Sequence, residues 1–185
     1  MTLAVKHPDK LAKLVLMASV GSKGLVGDSF RKNVDARLKA RRNKDREFFE
    51  RDYSAGLFRP DVQTQDWRNL RVHRLMNVVS DRHLIDSMTA MQAMDLTADL
   101  QNIKTPTLVL SGGVDPLLNT NLDDYRRLPN ACLQVFFRAA HEVAIHEPEG
   151  VAEAIHQFMQ HGALNAHTLR ARHLQSITRK MLEKC

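Results

Sequence analysis

The stretch Thr105-Pro106-Thr107-Leu108-Val109-Leu110-Ser111-Gly112-Gly113-Val114-Asp115-Pro116 constrains the fold more than any other part of the chain. Leu108 to Leu110 is an apolar run without polar alternation, the pattern of a strand buried on both faces, and such strands belong to parallel sheets covered by helices. Gly112 and Gly113 permit a sharp turn directly after it. Asp115 is thereby delivered to the C-terminal edge of the sheet, where open α/β sheets hold their ligands. A carboxylate in that place can equally cap a helix or brace a turn, so its meaning depends on what other strands bring to the same edge.

Two further segments have the same character. Met1 to Lys6 reads as the end of a helix, stopped at His7-Pro8 because the residue before proline avoids the helical region. Leu14-Val15-Leu16-Met17 then forms a short buried strand. Downstream, Asn119 to Arg127 is helical in pattern, Leu128-Pro129-Asn130 ends it, and Ala131 to Phe137 is a third strand, with its core from Leu133. Arg138-Ala139-Ala140-His141 follows as a loop. A helix from Pro148 to Gln160 comes next, with proline at the favoured first position, Glu149 and Glu153 near its positive end, and Gly162 just beyond it. Strands alternating with helices predict an α/β fold with three parallel strands.

Between Val20 and about Thr97 the pattern differs. Gly21, Gly24 and Gly27 mark a loop. Val34, Leu38 and Phe48-Phe49 then lie on a weakly amphipathic basic stretch, broken at Arg59-Pro60-Asp61. Trp67, Leu70, Leu75, Val78 and Val79, followed by Leu84, Ile85, Met88, Met91 and Met94, fall at helical spacings on two more helices. The segment is too long for a loop and holds no strand pattern, so it reads as an inserted helical subdomain. The three methionines read as helix packing, with an apolar pocket lining as the alternative. The expected organisation is a helix end and strand over 1–20, a helical insertion over 21–96, a strand–helix–strand–helix unit over 97–161 and a basic tail over 162–185.

Two successive strand tips thus present Asp115 and His141, 26 residues apart in sequence. Adjacent parallel strands lie about 5 Å apart, so a carboxylate and an imidazole held at their tips can meet. Such a carboxylate fixes the tautomer of the imidazole and stabilises its protonated form, which is what a general base requires. Asp123 and Asp124 read as solvated helix residues.

Charge, cysteine and histidine usage exclude several other classes. The formal charge is +6. Residues 31–51 carry a net +5 and residues 167–185 a net +4, so the remainder of the chain, including both strand tips, is mildly acidic at −3. The basic segments interleave acidic residues and hold few aromatics, which suits solvated helices better than a phosphate, nucleic-acid or membrane-surface site. No nucleic-acid partner is expected. Cys132 and Cys185 are too few for a disulfide framework and read as thiols. His146, His156, His161, His167 and His173 lack the spacing and carboxylate company of a zinc site and read as surface residues, so neither a metal nor a cofactor is expected. No apolar run reaches the ~20 residues of a membrane span, and residues 1–8 lack the pattern of a signal peptide. A cytoplasmic location is the expectation.

From Leu96 to Met159 the chain resembles the C-terminal end of an α/β hydrolase. The features that carry the resemblance are Ile103-Lys104-Thr105-Pro106-Thr107-Leu108-Val109-Leu110-Ser111-Gly112-Gly113-Val114-Asp115, then Leu128-Pro129-Asn130-Ala131, His141, Glu147-Pro148-Glu149-Gly150-Val151-Ala152 and Phe158. His7-Pro8-Asp9-Lys10-Leu11 with Leu14 to Met17 resembles the helix end and strand that follow the nucleophile in that family, and residues 21–96 sit where the family carries its helical lid. The order acid before histidine is also the family's. The resemblance implies that Asp115 and His141 are the acid and base of a triad that cleaves an ester, lactone, epoxide or similar bond in a small apolar substrate. It also makes Asp28 the fallback acid, because some members of the family carry that residue after the preceding strand, though a lid-loop role suits Asp28 better. The family's Gly-x-Ser-x-Gly turn is found nowhere in this chain; Gly21-Ser22-Lys23-Gly24 is one residue short of it. The missing nucleophile could be Ser, Asp or Cys. The expectation is therefore a chain inactive by itself, whether fragment, mis-called start or truncated relative, with Leu14 to Met17 as an open sheet edge able to self-associate. The alternative is a non-catalytic truncated hydrolase serving as a protein-interaction module.

Overall fold

The three apolar runs pair as one parallel sheet. A computed structural model describes residues 1–25, 28–54, 59, 61–166, 168–171, 173, 174 and 176, and for 28–31, 53 and 54 the backbone alone. Strands β1 (Leu14–Met17), β2 (Thr107–Gly112) and β3 (Ala131–Phe136) lie in the order β1-β2-β3. Leu14 stands beside Thr107 and Met17 beside Leu110, while Thr107 stands beside Ala131 and Gly112 beside Phe136. Every residue of β2 is buried, as the unbroken apolar run requires.

Alternation along the strands divides the core between the two faces. Leu108 and Leu110 pack with Val143, Val151 and Phe158 on one face, joined by Val15, Met17 and Phe136. Those partners come from α7 (Val143–His146) and α8 (Pro148–His161). Val109 and Leu16 pack on the other face with Ala4, Leu100, Ile103 and Leu128. That side is covered by α1 (Thr2–Lys6) and α6 (Leu118–Arg127). Pro148 opens α8, and Gly162, at φ 71°, closes it in the left-handed region that glycine occupies without steric penalty.

The helical stretch between β1 and β2 folds as α2 (Asp28–Arg42), α3 (Arg46–Ser54), α4 (Gln65–His73, continued by a π-helical turn at Arg74–Val78) and α5 (Asp81–Ala93). Asp45 accepts the Phe48 amide at 2.9 Å ahead of α3, Thr64 accepts the Trp67 amide at 3.2 Å ahead of α4, and Ser80 accepts the His83 amide at 3.0 Å ahead of α5. These side chains satisfy amide donors that a helix start leaves orphaned. The segment has a core of its own, formed by Ala40, Phe49 and Val72 with Phe48, Leu75 and Met76 around them. Met88, Met91 and Met94 are half-buried along and just after α5. Among the described residues no strand lies between β1 and β2, and no helix is long and apolar enough to cross a membrane.

The described part of the tail is helical from 166. Asn165 and Thr168 exchange hydrogen bonds, Asn165 Oδ1 accepting from the Thr168 amide at 3.0 Å and Thr168 Oγ1 from the Asn165 amide at 2.9 Å. Asn165 Nδ2 also donates to the Ala131 carbonyl at 3.2 Å, which ties the tail's start to β3.

Candidate active site

Close backbone packing brings the tips of β2 and β3 together. A Cβ at Gly112 would lie 2.3 Å from both the Ala139 and Ala140 carbonyl oxygens, and one at Gly113 would lie 2.8 Å from Phe137 Cα. Only glycine lets the loop after β3 fold over the end of β2. Three hydrogen bonds then fix the crossing: Gly113 N to Phe136 O at 2.8 Å, Val114 N to Ala139 O at 3.1 Å, and Ala139 N to Phe136 O at 3.0 Å. Asp115 emerges from one side of this crossing and His141 from the other.

His141 Nδ1 stands 3.2 Å from Asp115 Oδ2. Asp115 Oδ1 accepts the Leu117 amide at 2.9 Å, so each carboxylate oxygen has a donor. The Asp115 side chain is wholly buried, whereas that of His141 is 36% exposed. A buried carboxylate holding the inner nitrogen of a half-exposed imidazole leaves Nε2 as the nitrogen for proton transfer. The hydrogen bond to Asp115 raises the His141 pKa above 6.5; burial opposes this, the charges of Asp115 and Glu142 reinforce it, and Arg71 works against it. Such a pair can accept a proton from a hydroxyl, thiol or water and stabilise the resulting imidazolium. Among the described residues no Ser, Thr or Cys is hydrogen-bonded to His141.

Other candidates fall elsewhere. Asp28 begins α2, and its side chain lies outside the described residues. Asp123 is exposed and pairs with Arg126 at 2.9 Å, as expected of a solvated helix residue. Asp124 is not solvated: it is buried, and it accepts from the Ser22 amide at 2.8 Å and the Ser22 hydroxyl at 2.6 Å. Two positions along the loop after β1, Asn121 exchanges hydrogen bonds with the Ser19 backbone at 3.2 and 3.1 Å. The Gly21-Ser22-Lys23-Gly24 turn is thus a latch holding β1's exit loop on α6. A cavity of about 570 Å³ opens beside it, lined among others by Lys23, Asp95 and Arg127.

The histidines also divide. His156, His161 and His173 are exposed, while His167 lies outside the described residues. His146, expected at the surface, is instead buried at 4% exposure because α7 turns it under the loop that carries His141. Its i,i+3 spacing from Val143, which is buried too, was the available sequence signal. Its Nδ1 receives the Ala140 amide at 3.0 Å. Cys132 is a free thiol whose pKa is raised by burial, and Cys185 lies outside the described residues. No cluster of potential metal ligands occurs among the described residues.

Solved structures of like shape include a hydrolase, an enol-lactonase and an esterase. A hydrolase from Pseudomonas aeruginosa matches with a TM-score of 0.71 and 21% identity over 85% of this chain and 59% of its own. The enol-lactonase from Burkholderia xenovorans matches at 0.65 and 17% over 86% of this chain and 60% of its own. An esterase from Exiguobacterium antarcticum matches at 0.65 and 18% over 80% of this chain and 57% of its own. No protein-family model and no curated protein matches the sequence. The chain has an α/β-hydrolase fold in part: it spans about three fifths of the length of the structures it matches.

Proposed function

We propose that Asp115 and His141 are the acid and base of an α/β-hydrolase site that cleaves an ester, lactone, epoxide or similar bond in a small apolar substrate. The observation that carries this reading is the 3.2 Å contact between His141 Nδ1 and a fully buried Asp115 carboxylate at adjacent parallel strand tips. In this reading His141 Nε2 takes the proton of the nucleophile or the hydrolytic water, and Asp115 orients the ring and stabilises its charged form. Residues 21–96 serve as the lid over the substrate. The nucleophile is not among these 185 residues, whose sequence contains no Gly-x-Ser-x-Gly turn, so these residues by themselves are inactive.

A paired assay with p-nitrophenyl esters and a fluorophosphonate probe tests this. The 185-residue chain is expected to show no His141-dependent turnover or labelling. Fused behind a strand and Gly-x-Ser-x-Gly segment from a structural relative, it is expected to gain ester turnover, which His141→Ala lowers by roughly 10²–10⁴-fold. Turnover in the fusion that is indifferent to His141→Ala would overturn the acid–base role. His141-dependent labelling of the unfused chain would overturn its inactivity.

A second reading, a non-catalytic interaction module, has one observation in its favour. Among the described residues β1 pairs with β2 alone, and an open strand edge is a template for another chain. Partner or self-association unaffected by His141→Ala, without ester turnover in the fusion, would favour it.

A further inference from the structure

We propose that His146 is a positioning residue for His141, and that through Gln63 it makes the geometry of the Asp115–His141 pair depend on how the helical segment is seated. This rests on the acid–base reading of that pair. His146 is 4% exposed and Gln63 3%, and buried polar groups of this kind are costly unless each is hydrogen-bonded. Both are bonded, His146 through each of its ring nitrogens and Gln63 through both ends of its amide. The Ala140 amide can only donate, so His146 Nδ1, 3.0 Å away, carries the lone pair and the proton sits on Nε2. That Nε2–H faces Gln63 Oε1 at 3.1 Å. Gln63 Oε1 also receives the Arg59 amide at 2.6 Å, while Gln63 Nε2 donates to Glu142 Oε2 at 2.6 Å. Arg71 holds the other Glu142 oxygen at 3.0 Å.

The two ends of this network fall in informative places. One end grips Ala140 and Glu142, the residues immediately before and after His141. The other is made by Arg59, Gln63 and Arg71, all in the segment between β1 and β2. Arg59 adds a direct bond to the Arg138 carbonyl at 2.6 Å. Among the described residues no hydrogen bond or ion pair links His141, on which Arg71 acts through its charge alone, to that segment, so the influence proposed for the segment passes through the neighbours it holds. The charged groups around His146 are Arg59 and Asp61 ahead of α4, and Glu142 and Glu147 at the two ends of α7. Burial, then Arg59, keeps the His146 pKa below 6.5. His146 is therefore neutral where His141 titrates, and exchanging it for a neutral residue removes no charge. A change in the titration of His141 after such an exchange reports geometry.

The test follows the ring Hε1 resonance of His141 against pH in the full chain, with near-ultraviolet circular dichroism as the check of folding. Wild type is expected to titrate above 6.5. His146→Leu removes the acceptor for the Ala140 amide and is expected to move the His141 pKa back towards 6.5. His146→Asn, which can present an oxygen near the place of Nδ1, is expected to restore the wild-type titration. Gln63→Met, which leaves His146 in place and cuts its link to the helical segment, is expected to shift it in the same direction as His146→Leu. A folded His146→Leu chain whose His141 titrates as in wild type overturns the proposal. If His146→Leu does not fold, Gln63→Met decides, and an unchanged titration there overturns the coupling to the helical segment. Asp115→Asn separates the two levels. If it leaves the His141 titration unaltered, the acid–base reading itself fails; if it lowers it while His146→Leu does not, only the positioning role fails.

Discussion

His141 and His146 share one loop and a turn of helix, yet their surroundings drive them in opposite directions. Asp115 raises the pKa of His141, whereas burial lowers that of His146. The first adds stability that is fully present below 6.5 and is lost as pH rises through the raised folded-state value, because there the native chain holds a proton the unfolded chain has released. The second acts on the other flank: as pH falls below 6.5 the unfolded chain protonates its histidine and the native chain does not, so stability declines until pH passes the lowered value. Together these two residues place a local maximum of stability near 6.5. Urea unfolding at a series of pH values checks this: Asp115→Asn is expected to flatten the alkaline flank and leave the acid one, and His146→Asn the reverse. Flanks that are unchanged in both variants would mean that neither environment differs between the folded and unfolded chain.

At the scale of elements, the joint between β2 and the loop after β3 carries the site, and Gly112 is its narrowest point. Gly112→Ala would press a methyl group against two carbonyl oxygens 2.3 Å away, and since both are backbone atoms the loop itself must move. The expected loss is about 2–4 kcal/mol in denaturant unfolding, together with a fall of the His141 pKa towards 6.5 as the ring leaves Asp115. A loss under ~0.5 kcal/mol would show that the loop yields without strain. This joint was readable in the sequence because its parts are local: an apolar run, two glycines and an acid at one strand tip, and a histidine following another strand. Asp124 and His146 were not readable in the same way. The partner of Asp124, Ser22, is 102 residues away, and the histidine reaches Gln63 across 83. Local pattern reports periodicity and turn chemistry; it does not report which polar side chain will be covered by a distant segment. That is why residues with the composition of a surface turned out to be the buried polar ties between the helical stretch and the sheet.

At the scale of the whole molecule the described residues form three apolar clusters, two on the faces of the sheet and one, around Phe49 and Val72, inside the helical stretch. Among the described residues, polar contacts join the helical stretch to the loop and helix around His141: Arg59 to the Arg138 carbonyl, Gln63 to His146 and Glu142, and Arg71 to Glu142. Hydrogen bonds and exposed ion pairs each contribute modestly on balance, whereas an apolar cluster is lost together when its largest member is removed. Phe49, 1% exposed, is that member. Phe49→Ala is expected to cost the helical stretch about 3–5 kcal/mol, more than its polar contacts to the sheet can offset. Hydrogen exchange should then show amides of α2, α3 and α4 losing protection while those of β2 keep theirs, because among the described residues the sheet's two clusters contain none from those helices. If the tie through His146 and Gln63 acts on the site, the same variant should also lower the pKa of His141, although Phe49 touches neither member of the pair. Equal loss of protection in β2 would mean instead that the stretch and the sheet unfold as a single cooperative unit.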